Sequence, residues 1–291
     1  MHILDHSFAH LLQILPKNTF KIVTVHDLAP LEFSERLTDS QLQRFRKTIE
    51  KLHIADLIIS VSQYSKQAVV DHLRMDPSKI RVIPMGVDVC STDSIAEPSG
   101  LDLKNLNPYI LSIGSVLSRK NLESIPTVLR ALKQLGFQPN LLRVGEKLPA
   151  PLAEEIRFII GDEKLRELGF VEERQLTECY KNAAATFIPS KLEGFGLPVL
   201  EGMVHGSPVV CSDASSLPEV GGDSALYFPI KHPEHAADML AKILGNDAFR
   251  QSLAYKGKRR ASKFSWERHR EGLMEVYTRA MTIAKRRKLT V

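Results

Sequence analysis

Short runs rich in β-branched residues alternate with stretches of helical period from residue 20 to residue 244, and few folds accept that alternation. In the first third the runs are FKIVTVHD (20–27), DLIISVS (56–62) and IRVIPMG (80–86), with MHILDHS as a further strand; helical patterns fill 40–54 and 63–74. A helix between two strands returns the chain parallel to itself, so the pattern predicts a parallel sheet covered by helices. A second series starts at Tyr109: YILSIGS, PNLLRVG, LRELGF, ATFIPS, PVVCSD and ALYFP, separated by helical patterns near 121–135, 150–160, 172–183 and 198–205, with 234–244 following the last. Six strands with crossovers make a complete doubly wound domain, whereas the first series reads as the latter half of a similar one. Between them, VCSTDSIAEPSGLDLKNLNP (89–108) holds two prolines and a glycine with little periodicity and reads as a linker. The partition predicted is therefore 1–90, a linker at 91–108, and 109–264, with a terminal helix 265–291 joining the first domain. On that helix Trp266, Leu273, Met274, Tyr277 and Met281 fall at spacings of one apolar stripe.

Length and composition bound the function classes. At 291 residues and 43% hydrophobic content the chain can fill two modest cores. No apolar run reaches the roughly 18 residues of a spanning helix, and no signal peptide is evident. Cys90, Cys179 and Cys211 are far apart and form no C-x-x-C pair, which argues against a disulfide framework or a zinc site and for a reducing cytoplasm. His2, His6 and His10 recur every four residues, but MHILDHS reads as strand, so no metal site is expected there. The net charge of +5 is uneven: Arg250–Val291 holds 13 Lys and Arg against 3 Asp and Glu. That basic end, finishing AKRRKLTV, is either a solvated helix face or a patch for anionic lipid or a phosphate-bearing acceptor, placing the protein at the inner face of a membrane. No recognition motif or aromatic interleaving supports nucleic acid as a partner.

The stretch PSKLEGFGLPVLEGM (189–203) carries the most chemistry. ATFIPS is a buried strand, KLEGFG the loop at its carboxyl end, and Pro198 suits the first turn of a helix because its missing N–H costs nothing there. The helix start aims free N–H groups and positive dipole at the loop, an anion site, and Gly194 and Gly196 let backbone approach a ligand. Glu201, about one turn in, would repel phosphate but can accept two hydroxyl hydrogen bonds from a sugar diol. A ligand with an anionic middle and hydroxylated ends fits; a capping glutamate and a surface glutamate are the structural alternative. In YILSIGSVLSRKNLESI a strand ends at Gly114 and a short loop leads to Arg119, Lys120 and a helix. Cations at a helix start oppose the dipole, which favours a ligand role over a solvated pair.

With those residues in place, GSVLSRKNL and LGFVEERQLTECYKNAAATFIPSKLEGFGLPVLEGMVHGSPVVCSDASSLPEVGGDSALYFP resemble the donor half of the GT-B retaining glycosyltransferases, two Rossmann-like α/β domains. The signature is the E-x7-E pair, Glu193 to Glu201, with E-G-F-G-L-P inside it, and the resemblance runs from about residue 20 to 278. It implies transfer from a nucleotide-diphosphate sugar, GDP-mannose foremost, to a glycan or lipid-linked acceptor, with no metal or other cofactor. It implies that Glu193 contacts donor-sugar hydroxyls and that Gly194, Phe195 and Gly196 lie along the sugar. The Leu197 N–H would reach the pyrophosphate, Glu201 would bind the ribose, and Arg119 and Lys120 would neutralise the leaving diphosphate. The base is expected near Gly169, Phe170 and Val171 with Leu176 behind it. His26, in TVHDLAP, matches the family histidine that contacts the donor sugar. Ser62 reads as a helix N-cap. The family's first domain normally begins with a strand and a glycine-rich loop; here the sequence opens midway through that domain. The expectations are a late start, a truncation, or a partner chain that completes it. A nucleotide-sugar-binding fragment without transfer is the alternative function.

Overall fold

A computed structural model of the chain describes residues 1–88 and 100–289. It divides into two compact units, one of Met1–Gly86, Glu193–Phe195 and Phe264–Val291, the other of Val87–Leu192 and Gly196–Lys263. Residues 89–99, the larger part of the segment read as a linker, lie outside the described residues. Its remainder is packed rather than loose: Leu103 and Leu106 are buried with Tyr109, Leu111 and Leu142 in the core of the second unit.

The first unit is built on four parallel strands, β1 (His2–Ile3), β2 (Ile22–Val25), β3 (Leu57–Ser60) and β4 (Ile80–Val82), in that spatial order. Helices α1 (Asp39–Ile49) and α2 (Gln63–Leu73) lie between them in the chain. Thr38 and Gln41 form a capping box at α1, and Ser62 caps α2 by accepting from the Ser65 N–H at 2.9 Å. A sequential parallel order with right-handed crossovers puts every connecting helix on one face. Val23, Val25 and Ile58 pack into that face, with Ile49 of α1 and Val69 of α2. The other face, with Ile22, Ile59 and Ile83, is closed by the C-terminal helix (Trp266–Leu289) through Val276 and Ala280.

Three local expectations change. MHILDHS is strand only at His2–Ile3; His6–Gln13 is a 3-10 helix started by Asp5, whose carboxylate accepts from the Ser7 N–H at 2.7 Å. His6 and His10 therefore lie on that helix. On the C-terminal helix the buried residues are Val276 and Ala280 with Leu273 and Tyr277 alongside, while Trp266, Met274 and Met281 stay 43, 50 and 56% exposed. The large apolar residues flank the contact because the smaller Val276 and Ala280 allow the helix close to the sheet.

The second unit has six parallel strands: β5 (Tyr109–Gly114), β6 (Asn140–Gly145), β7 (Leu165–Glu167), β8 (Ala185–Ile188), β9 (Val209–Ser212) and β10 (Leu226–Phe228). Their spatial order is β10-β9-β8-β5-β6-β7, the doubly wound arrangement. Helices α3 (Ile125–Gln134), α4 (Ala150–Ile160), α5 (Glu173–Asn182), α6 (Leu197–Val204), α7 (Leu217–Gly221), α8 (His235–Gly245) and α9 (Asp247–Ala261) complete it. The apolar stripe of α3, Val128, Leu129 and Leu132, meets Ile156 and Leu240 in the main core. Helix α3 starts at 125 rather than 121 because Asn121 adopts the left-handed conformation (φ 54°) between two 3-10 turns.

Candidate functional site

In the second unit the chemistry collects at the carboxyl end of the sheet. Strands β5 and β8 are neighbours there although β6 and β7 lie between them in the sequence, so the sheet reverses direction of winding between them. Such a switch point leaves a crevice beyond the strand ends. Gly114 and Gly145 close β5 and β6 side by side. A Cβ on Gly145 (φ 104°) would meet the Gly114 carbonyl oxygen at 2.5 Å, so backbone lies against backbone where the first loop leaves the sheet.

Behind that loop sits Arg143, 1% exposed. Its guanidinium donates to the carbonyls of Gly114, Ser115 and Glu146 and to the Ser112 hydroxyl. Burial lowers its pKa to about 10, with Glu167 and Glu146 opposing the shift, so it stays charged near neutrality. Glu146 in turn accepts from the Val116 N–H at 3.0 Å. The loop is thus fixed by a buried cation outside the residues that the sequence motifs single out. Its signal was an arginine inside the otherwise apolar strand run NLLRVG.

Arg119 and Lys120 follow on a 3-10 turn and are both half-buried. The Arg119 carbonyl accepts from the Lys191 N–H at 2.7 Å, and its Nη1 donates to the Leu192 carbonyl at 3.1 Å. The loops after β5 and β8 are therefore joined at Arg119. Lys120 folds back over Gly114: its Nζ would lie 3.9 Å from a Cβ built there. Helix α6 begins at Leu197 after Gly196 (φ 101°), and no side chain caps it. Its orphan N–H groups open on the same loop. One turn on, Glu201 accepts a 2.6 Å hydrogen bond from the Tyr180 hydroxyl. Tyr180 is fully buried, stacked on His205, and its phenol is pushed up by burial and then by the Glu201 charge, so it remains the donor. One carboxylate oxygen is thereby held in place by the core.

The loop after β7 carries the residues expected at the base. Val171 and Leu176 pack against the core with Tyr109 and Cys179, while Phe170 leaves 87% of its surface exposed. Such an aromatic offers a face for stacking. The Cys179 thiol, buried, is pushed up to about 11, and the buried Cys211 thiol is raised further. Both are therefore protonated and inert near neutrality.

In the first unit, His26 leaves the carboxyl end of β2 half-buried. Its Nε2 lies 3.1 Å from the Leu4 carbonyl, which can only accept, so Nε2 carries the proton. The segment Glu193–Phe195 belongs to this unit, with Glu193 and Phe195 buried. The Gly194 carbonyl accepts from Ser62 at 2.6 Å and Ser65 at 2.9 Å, and Ser65 also donates to the His26 carbonyl at 2.8 Å. A Cβ on Gly194 would meet the His26 carbonyl oxygen at 2.3 Å, so this position requires glycine. Ser62 is more than the cap the sequence suggested: one hydroxyl starts α2 and seats the E-G-F segment.

The family model described as Glycosyl transferases group 1 matches residues 91–260, and that described as Glycosyltransferase Family 4 matches residues 2–90. The chain is 29% identical over 266 residues to the O-antigen chain mannosyltransferase B of Escherichia coli, covering 84% of this chain and 67% of that protein. It is 27% identical over 293 residues to the serotype-specific mannosyltransferase WbdA of Escherichia coli, covering 95% of this chain but only 36% of the relative. Among solved structures, sucrose-phosphate synthase of Thermosynechococcus elongatus superposes with a TM-score of 0.73 at 23% identity, covering 94% of this chain and 70% of that one. The Anabaena protein HepE, solved with UDP and glucose, gives 0.73 at 19% identity over 89% and 71%. These likenesses show the GT-B fold.

Proposed function

The chain belongs to the group 1 glycosyl transferases, and on that premise we propose that it transfers a hexose from a nucleotide-diphosphate sugar, with retention of anomeric configuration. GDP-mannose is the donor and a glycan or lipid-linked sugar the acceptor, a choice supported by the mannosyltransferase relatives. The observation that carries this reading is the joint at Arg119. It holds two half-buried cations at the switch point of the second sheet, where α6 starts uncapped.

Arg119, Lys120 and the Leu197 N–H then neutralise the diphosphate, while Glu201, steadied by Tyr180, accepts from the ribose hydroxyls. The base stacks near Gly169 and Phe170, backed by Val171 and Leu176. Glu193 and His26 receive sugar hydroxyls, with Gly194, Phe195 and Gly196 along the ring. The bond from the anomeric carbon to the phosphate oxygen breaks, and the acceptor oxygen bonds that carbon on the same face. The acceptor's proton passes to the released diphosphate. Positioning and fixed charge lower the barrier, and the step as proposed calls for no metal.

One observation favours a second reading, nucleotide-sugar binding without transfer: among the described residues the first sheet has four strands against six in the second. Incubating the chain with GDP-mannose and a mannosylated acceptor separates the two. Transfer is expected, and Glu193→Ala should lower it by at least ~100-fold with little change in melting temperature. Tight donor binding with no turnover would favour the second reading, and wild-type transfer by Glu193→Ala would refute the site.

A further inference from the structure

The amino end of the second sheet, opposite Arg119, carries a cavity that the transfer chemistry does not use. It measures about 640 Å³ and opens where the chain enters β5, β8 and β9, at Pro108, Ala184 and Pro208. Helix α9 forms its other wall, so the whole cavity lies within the second unit.

Cations gather around it. Lys181, at the end of α5, and Arg250, on α9, line it directly. Further along α9, Lys258 lies across Gly206, itself part of the lining: a Cβ built on Gly206 (φ 77°) would sit 2.9 Å from Lys258 Cε and 3.4 Å from its Nζ. His205 reports the same convergence. Its imidazole, stacked on Tyr180, is held below its ordinary pKa first by burial and then by the charges of Lys181 and Lys258. The carboxylate in the lining, Asp247, pairs with Arg250 at 3.0 Å. Cations thus outnumber carboxylate, and like charges held together gain most from an anion placed between them. The rest of the lining speaks for what the anion is attached to. Asn107, Asn182 and Gln251 bring amides, which both donate to and accept from hydroxyl groups. The volume is more than a bare phosphate fills and falls among small-molecule sites, roughly 300–1,000 Å³.

We propose that this cavity is a second ligand site that takes a phosphorylated sugar, with Lys181, Arg250 and Lys258 holding the phosphate and the amides receiving the sugar hydroxyls. It stands at the other end of the sheet from Arg119, so both sites can be filled at once, and its assignment does not rest on what the donor is.

The histidine ring signals of the full chain, followed by NMR, provide the test. His205 adjoins Gly206 in the lining, and its signal is the one that His205→Gln removes. Mannose 6-phosphate is the probe, with mannose and inorganic phosphate as controls. The His205 signal should shift saturably with the probe at concentrations where mannose leaves it in place. Inorganic phosphate should bind on the order of 10-fold more weakly, since it lacks the hydroxyl contacts. Lys181→Ala with Lys258→Ala should weaken the probe on the order of 100-fold, from the loss of two charge-assisted contacts. Melting curves check folding, and Lys181→Gln with Lys258→Gln, which keeps part of each stem, should weaken it as much. Absence of a saturable His205 shift at millimolar probe would overturn the proposal, as would wild-type affinity in the lysine variants. Inorganic phosphate binding as tightly as the probe would overturn the assignment to a sugar phosphate. Loss of the shift on saturation with GDP would overturn the claim of a separate site.

Discussion

The two sheets share parallel strands and right-handed logic, yet their orders differ, and the difference decides which has a switch-point crevice at its strand ends. The first runs β1-β2-β3-β4 without reversal. Its crossovers cover one face, and a helix from the far end of the sequence covers the other. The second reverses between β5 and β8, so two loops diverge above a crevice. Stability in the first unit therefore rests on apolar faces. In the second it also rests on a buried cation that fixes the loop a ligand would meet. Position in the sheet order, rather than strand composition, gives the second sheet its crevice, while the first contributes His26 from the end of β2.

Arg143→Leu should break that contrast most strongly. It leaves the carbonyls of Gly114, Ser115 and Glu146 without their buried donor and should cost about 3 kcal/mol. The sequence has a single tryptophan, Trp266, and it lies in the first unit, so its emission reports that unit. Far-UV circular dichroism should show the second unit melting early, with the Trp266 transition shifted less. Equal shifts would mean that Arg143 is not a local support.

A smaller effect should appear in the first unit on acidification. His2 joins Tyr277 at 2.7 Å and Thr24 at 2.8 Å, and its pKa is lowered to about 4, chiefly by burial. Above its unfolded value of 6.5 both states are neutral and nothing is lost. Between 6.5 and about 4 only the unfolded state takes the proton, so the folded state loses stability as pH falls through that window. The urea midpoint of Trp266 emission should drop from pH 7 to pH 5, and His2→Gln should drop less steeply. An equal slope in the variant would assign the acid sensitivity elsewhere.

How much of this was legible in the sequence depended on the range of the interaction. Each strand run contains a strand, and GFGLPV marks the start of α6, because alternation, glycine and proline act locally. The 3-10 helix at His6–Gln13 was missed: a run of small and apolar residues supports strand and turn alike until Asp5 caps it. On the C-terminal helix Leu273 and Tyr277 pack as their spacing suggests, but Met274 and Met281 stay exposed because close approach to the sheet selects Val276 and Ala280. Tyr180 and Arg143 gave little or no local sign of their tasks. Tyr180 meets Glu201 across 21 residues, and Arg143 meets Gly114 across 29. The seat of Gly194 on Ser62 and Ser65 spans more than 120 residues and could not be read from spacing.

The central claim is that the cations beside the second sheet's switch point bind the diphosphate of the donor. Calorimetric titration of GDP into the wild-type chain and into Arg119→Ala with Lys120→Ala, each at low and high salt, tests it most directly. The account predicts wild-type binding that weakens with salt, and a double variant weaker on the order of 100-fold with a flatter salt dependence. Equal affinity and equal salt dependence in the two proteins, with melting temperatures unchanged, would contradict it.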